Sequence, residues 1–305
     1  MTPQQAPYDP FNEIRGYLTD YQRILNLVRQ GRRLFMIVGL PEHGKSHFMR
    51  SLVCRASDLF GTQHPKGLRD RAIEKTERGE FYGWQVKARK RVDYFWDISG
   101  EDFENVRIGG YPVLNTFLAH VLPKVNGITL NIALKHLWAA PAGMNSQEIR
   151  ERSEQDLEIY KIFLRALIAS RFTGVSELKE LLGDALDLQA SLTSARSLDL
   201  PVLVNFAMAD RYVPENIRPP TAGSPVVDPE TTDPLRLAER HLPSLVNLLA
   251  DHARWFKFAF TQAKDDTTIY RGVGCEHAYE FLTSCNWRGW PDARACLAIK
   301  RMFWG

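Results

Sequence analysis

The chain is 305 residues long, enough for two average domains or for one elaborated α/β domain with a sizeable core, so length leaves that choice open. Hydrophobic residues at 44% and charged residues at 25% are ordinary globular values. A net charge of +3 excludes a nucleic-acid or membrane-surface partner recruited by bulk charge.

Met1 to Glu13 is polar and Pro-containing with no apolar h-region, and no stretch approaches the ~20 apolar residues of a membrane span, so the expected setting is cytosolic. The four cysteines, Cys54, Cys275, Cys285 and Cys296, lack C-x-x-C spacing and are expected as free buried thiols. A zinc site from Cys275, His277, Cys285 and Cys296 is the rival, but those spacings fit none of the usual ligand knuckles. In Tyr8 to Gln30, Ile14, Leu18, Tyr21, Leu25 and Val28 recur at steps of four and three, which predicts an amphipathic N-terminal helix within 1–30.

Leu34 to Val38 is an apolar run that reads as a buried strand. It breaks at Gly39 and ends in Gly44-Lys45-Ser46, matching G-x-x-x-x-G-K-[ST], the Walker A phosphate loop. The two glycines let backbone N–H groups turn inward on a polyphosphate, and the helix that follows presents its positive end. This places Gly39, Glu42, His43, Gly44, Lys45, Ser46 and His47 around the phosphates, with Lys45 reaching the β- and γ-phosphates and Ser46 ligating Mg²⁺. Phe48, Leu52, Val53, Ala56 and Leu59 give that helix, His47 to Phe60, a buried face.

Gly61 to Glu80 is polar and without periodicity, a long connection near the loop. Phe81 to Val86 and Val92 to Trp96 then read as a β-hairpin around the basic tip Lys87 to Arg91, which is either a solvated end or a contact for phosphate or an acidic partner. The second strand ends in Asp97-Ile98-Ser99-Gly100-Glu101. Asp97 can orient the water shell of Mg²⁺ and Gly100 can offer its N–H to a γ-phosphate, a D-x-x-G pattern.

In this order of parts the chain resembles the Ras-like and translation-factor-like GTPases, the TRAFAC class of P-loop proteins. It is less like the RecA-like or ABC ATPases, in which a catalytic Glu commonly follows the metal-orienting acid; here Ile98 follows Asp97. The resemblance implies a three-layer α/β P-loop fold over 31–274, mostly parallel with an antiparallel edge hairpin. It makes Gly61 to Glu80 switch I, with Thr62 or Thr76 contacting Mg²⁺ and the γ-phosphate, and starts switch II at Gly100. Glu101 stands where many Ras-like proteins carry a water-orienting Gln. Turnover is therefore expected to be slow, or to need a group such as an arginine from a partner.

Further along, a helix is expected around Val113 to Leu122 and a buried strand from Gly127 to Leu134. Helices from Ser146 to Phe172 and from Glu177 to Ala195 form a helical elaboration, 146–196, serving the core or a protein partner. Pro201 to Phe206 is another buried strand and leads to Ala207-Met208-Ala209-Asp210. The resembled family holds N-K-x-D there; only Asp210 matches, as the residue that would read guanine. A Pro-rich loop, 211–234, is followed by a helix over Leu235 to Ala253.

The strand Trp255 to Phe260 meets Thr261-Gln262-Ala263-Lys264, which looks like the S-A-K loop that touches guanine O6. Residues 275–305 are expected as short helices docked on the same domain or fitted to a partner. The implied function is a GTP/GDP- and Mg²⁺-dependent switch, with a branch guess among bacterial double-GTPases. The rivals are an ATP-using P-loop enzyme, and a pseudo-GTPase that works as an assembly module.

Overall fold

The structure, a computed structural model, describes residues 13–59, 75–88, 91–133, 146–184, 197–207, 233–264, 271–273 and 275–284. Its strands are β1 (Glu13–Tyr17), β2 (Arg33–Val38), β3 (Glu80–Ala88), β4 (Arg91–Ile98), β5 (Gly127–Ala133), β6 (Leu198–Ala207), β7 (Ala253–Lys264) and β8 (Arg271–Val273). They lie side by side in the order β1-β3-β4-β2-β5-β6-β7-β8. The four central pairings, from β4 through β2, β5 and β6 to β7, are parallel; β1 with β3, β3 with β4, and β7 with β8 are antiparallel. This is an α/β architecture with a mostly parallel sheet and antiparallel edges.

The helices are α1 (Tyr21–Arg29), α2 (Lys45–Leu59), α3 (Gly100–Asn105), α4 (Pro112–Val121), α5 (Ser146–Ala169), α6 (Val175–Gly183), α7 (Pro234–His241), α8 (Pro243–His252) and α9 (Cys275–Ser284). They cover both faces of the sheet because side chains along a strand alternate between faces. On β2, Leu34, Met36 and Val38 join the core under α1, α4, α5, α6, α7 and α8, whereas Phe35 and Ile37 join the core under α2 and α9. The buried positions Leu157 to Ala169 place the second half of α5 in the core.

Four elements depart from the sequence reading. Residues 13–17 form a strand and Leu18–Asp20 a single 3₁₀ turn, so the N-terminal helix starts only at Tyr21. Ile14 and Leu18, four apart, suit a helical face, but both are buried beside Phe81, and Gly16 lets β1 close on that ring: a Cβ there would lie 2.6 Å from Phe81 Cζ. The helix read over Leu235 to Ala253 is two, broken at Leu242 (φ −129°, ψ 43°), because Pro243 lacks an N–H and disfavours helical backbone before it. Ala263 and Lys264 belong to β7, not to a loop after it, since the strand runs on to pair with β8 at Ala263↔Gly272 and Lys264↔Arg271. The helix from Glu177 ends at Gly183; residues 185–196 lie outside the described residues, as do Thr62, Asp210, the Pro-rich loop 211–232 and 285–305.

The far end of the sheet is clamped by a buried ion pair. Arg33 donates to both carboxylate oxygens of Asp93 (2.7 and 2.9 Å) across the β2–β4 pairing, and its third nitrogen donates to the Thr283 carbonyl of α9 at 2.9 Å. Asp93 is wholly buried. Removing the guanidinium takes both of these bonds from a buried carboxylate, which the Tyr279 hydroxyl also reaches at 3.4 Å. Arg33→Ala is therefore expected to lower unfolding free energy by about 3 kcal/mol in urea titration; a loss below about 1 kcal/mol would mean the pair is not what holds this end.

Candidate functional site

The loop between β2 and α2 is built by backbone constraints that its residues satisfy. Gly44 takes a left-handed φ of 74°, which costs glycine nothing. Glu42 takes φ 60°, an uncommon conformation for a side-chain-bearing residue and a mark of local strain. Two close approaches fix what surrounds the loop. A Cβ on Gly39 would lie 2.4 Å from the Asn131 carbonyl oxygen of β5, and one on Gly100 would lie 2.4 Å from Pro41 N. The first residue of α3 therefore rests directly on the loop backbone.

Lys45 is buried, and its Nζ donates to the Gly39 and Leu40 carbonyls at 2.9 and 3.3 Å. Burial holds its pKa below the usual lysine value; Asp97 opposes the shift and Lys75 adds to it. The amide of His43 donates to Leu40 O at 3.3 Å, so one loop N–H is spent within the loop. Ser46 and His47, in the first turn of α2, are half-buried, and the Glu42 side chain is exposed. His43 turns its ring into the fold: Nδ1 lies 2.9 Å from the Tyr160 hydroxyl of α5 and accepts from Ala133 N–H at 3.3 Å. Its side chain is therefore a packing group; only its backbone faces the loop.

Asp97 reaches the loop through strand register. β4 pairs in parallel with β2, and Asp97 stands opposite Ile37, two residues before Gly39. Its carboxyl is wholly buried, Oδ1 accepts from the Thr76 hydroxyl at 3.1 Å, and Oδ2 has no hydrogen-bond partner among the described residues. Burial pushes its pKa from 3.8 up to about 7, against the opposing pull of Lys45 and then Thr76. Thr76, one of the two candidate threonines, thus lies at the site, and Thr62 is outside the described residues. Glu101, which follows Gly100, is half-buried and pairs with Lys75 Nζ at 2.7 Å.

A buried carboxylate oxygen without a partner, a hydroxyl already on its sister oxygen and a half-buried Ser46 fit a hydrated magnesium ion completed by phosphate oxygens. No group of three or more His, Cys, Asp or Glu is placed to hold a metal ion among the described residues, so such an ion would depend on the phosphates for most of its ligands. The zinc alternative gains no geometry from Cys275 and His277: the thiol is buried and the imidazole exposed on opposite sides of α9. Cys54 and Cys275 are buried thiols that form no disulfide. No helix of the described residues is long and apolar enough to cross a membrane.

Sequence reasoning missed a row of polar side chains behind the loop. Thr261 donates to Asn205 Oδ1 at 2.7 Å, the Asn205 amide donates to Asn131 Oδ1, and the Asn131 amide donates to the His43 carbonyl. All three residues are buried. Tyr160 closes the group by donating to Asn131 O at 2.8 Å and accepting from Leu40 N–H at 3.3 Å. The available signal was an Asn at the same depth in each of two apolar strand runs, Gly127 to Ala133 and Pro201 to Ala207. Asp102 was missed as well: it accepts from Gly79 N–H at 2.8 Å and from the Tyr111 hydroxyl at 2.7 Å, tying α3 to the segment before β3.

With this geometry described, comparison with known proteins adds no identity: neither a protein-family model nor a curated protein sequence matches the chain.

The Asp97 carboxyl gives a pH prediction. Its folded pKa lies above its unfolded value, so the stability it contributes is fully present below about pH 4 and is lost as pH rises through about 7. A shift from 3.8 to about 7 corresponds to roughly 4 kcal/mol. Lys45, shifted down by burial, acts in the opposite sense. In the absence of nucleotide, Asp97→Asn is expected to be more stable than wild type at about pH 8 by urea unfolding, with the advantage vanishing toward about pH 4. Parallel curves for the two proteins would contradict it.

Proposed function

We propose that the chain is a nucleotide-binding P-loop protein of the Ras-like, TRAFAC type, binding GTP or GDP with Mg²⁺ and hydrolysing GTP slowly or under a partner's stimulation. The observation that carries this reading is the Asp97 carboxyl, buried with one oxygen unpartnered, set by register beside the Lys45 loop and already held by Thr76. A protein does not bury such a group idly, because an unpaired buried carboxylate costs several kcal/mol unless a cation or hydrated metal joins it. The contact of Gly100 with Pro41 supports the same reading by joining the start of α3 to the loop that would hold the phosphates.

In this reading each group has a task. Lys45 leaves the Gly39 and Leu40 carbonyls to meet the β- and γ-phosphates, and the positive end of α2 adds to it. Ser46, Thr76 and Asp97 would hold a magnesium ion, which when bound neutralises phosphate charge. Gly100 offers its N–H at the γ-phosphate. Guanine preference rests on Asp210, the one residue matching the family's N-K-x-D place. The partner remains a protein effector or activator.

A second reading is favoured by a specific observation: Lys45 and the His43 amide are satisfied within the loop itself. A loop closed on its own donors suits a pseudo-GTPase acting as an assembly module. Thermal unfolding with saturating nucleotide separates the two. GTP with Mg²⁺ at about 100 times Kd is expected to stabilise the protein by roughly 2.7 kcal/mol, a rise of several degrees in Tm. Lys45→Ala is expected to abolish that rise, and ATP to give less. Equal or larger shifts with ATP would move the assignment to an ATP-using enzyme. No shift with either nucleotide would end the nucleotide reading.

A further inference from the structure

Two lysines bring positive charge to the phosphate loop, and the motif accounts for only one. Lys75 immediately precedes Thr76, whose hydroxyl donates to Asp97, and its own Nζ lies 2.7 Å from Glu101 Oε1. Glu101 follows Gly100, which rests on the backbone of Leu40 and Pro41. Lys75 is thus placed near the loop from two directions, by the chain through Thr76 and by the side chain of Glu101. Its ammonium depresses the pKa of Lys45, and its own is raised chiefly by Glu101 and to a lesser degree by Glu42 of the loop.

Residues 75–80 are tied to residues 97–102 at three points of unequal character. The Thr76–Asp97 and Gly79–Asp102 bonds engage buried carboxylates. The Lys75–Glu101 pair is open to solvent, with side chains 66% and 45% exposed. An open pair contributes little to stability and is broken cheaply. It does not serve as a staple where two buried bonds already hold the segment. It keeps a long, mobile ammonium beside the loop and lets it leave.

We propose that Lys75 is a catalytic residue for hydrolysis, a cation supplied in cis to the γ-phosphate, which Glu101 holds in reserve until a triphosphate is seated. The inference rests on the nucleotide reading above. A triphosphate presents several negative charges where Glu101 presents one, so the ammonium moves from the carboxylate to the γ-phosphoryl oxygens. As a water oxygen bonds to the γ-phosphorus, the bond from that phosphorus to the β,γ-bridging oxygen breaks. The bridging oxygen departs with the electron pair as the end of the nucleoside diphosphate, and the proton lost by water ends on inorganic phosphate. Lys75 offsets the charge that spreads over the transferring group, the service an arginine finger performs elsewhere.

The test is single-turnover phosphate release from GTP at saturation, with GDP affinity measured alongside, for wild type, Lys75→Ala, Lys75→Arg and Glu101→Ala. Lys75→Ala is expected to slow release by about tenfold or more while GDP affinity stays within about threefold, since the contact is made to the γ-phosphate and strengthens in the transition state. Lys75→Arg is expected to keep most of the rate. Glu101→Ala, which removes the carboxylate competing with the γ-phosphate for the ammonium, is expected to release phosphate faster than wild type. Release by Lys75→Ala at the wild-type rate overturns the proposal and leaves the nucleotide reading standing, as does tight GTP binding without any hydrolysis. A wild-type protein that binds no nucleotide overturns both.

Discussion

A carboxylate shut away from water, next to a lysine that is also shut away, is the constraint around which this end of the molecule is arranged. The parallel pairing of β2 with β4 puts Asp97 opposite Ile37, so the sheet's hydrogen bonds, not a flexible side chain, decide how far the acid stands from the loop. Burial raises the carboxyl and lowers the lysine, each toward its neutral form, while the attraction between them works against both shifts. Neither group is at rest electrostatically. A site of this kind has free energy to release when charge of the right sign and geometry arrives.

The segments bordering the loop are held with graded strength. Asp102, capped from within by Ser99 and joined to Gly79 and Tyr111, anchors α3 to the rest of the protein. Among the described residues Thr76 is anchored to Asp97, and Lys75 to a half-exposed partner. The strength of attachment thus falls toward the loop mouth. That gradient suits a region whose outermost groups change partners while α3 and β3 stay where they are.

The central strands and the loop between β2 and α2 could be read directly from residues, because continuous apolar runs bounded by glycine suit the buried strands of a parallel sheet. The hairpin was legible for the same reason: aromatic and β-branched runs flank a charged tip, and the pairing Phe81↔Ile98 to Ala88↔Arg91 follows them. What could not be read depends on neighbours distant in sequence. Ile14 and Leu18 suit a helical face or a strand followed by a turn, and only the ring of Phe81 decides. That Thr76 reaches Asp97 depends on how the segment before β3 lies against β4, which no local pattern in residues 61–80 shows. Asn131 and Asn205 were visible as odd residues in apolar runs, but their pairing needed the β5–β6 register. The charged tail of Lys75 looked like ordinary polar linker.

The buried amide row has a sense of direction. A backbone carbonyl can only accept, so His43 obliges Asn131 to face it with nitrogen and Asn205 to do the same behind it, leaving an oxygen for the Thr261 hydroxyl. Each member is thereby oriented by the one in front, with the last word belonging to the loop. The peptide joining His43 to Gly44 is planar and trans, so its N–H must point opposite to its C=O. By tethering that oxygen to the sheet, three strands turn the hydrogen on Gly44 outward like a weathervane fixed in one wind.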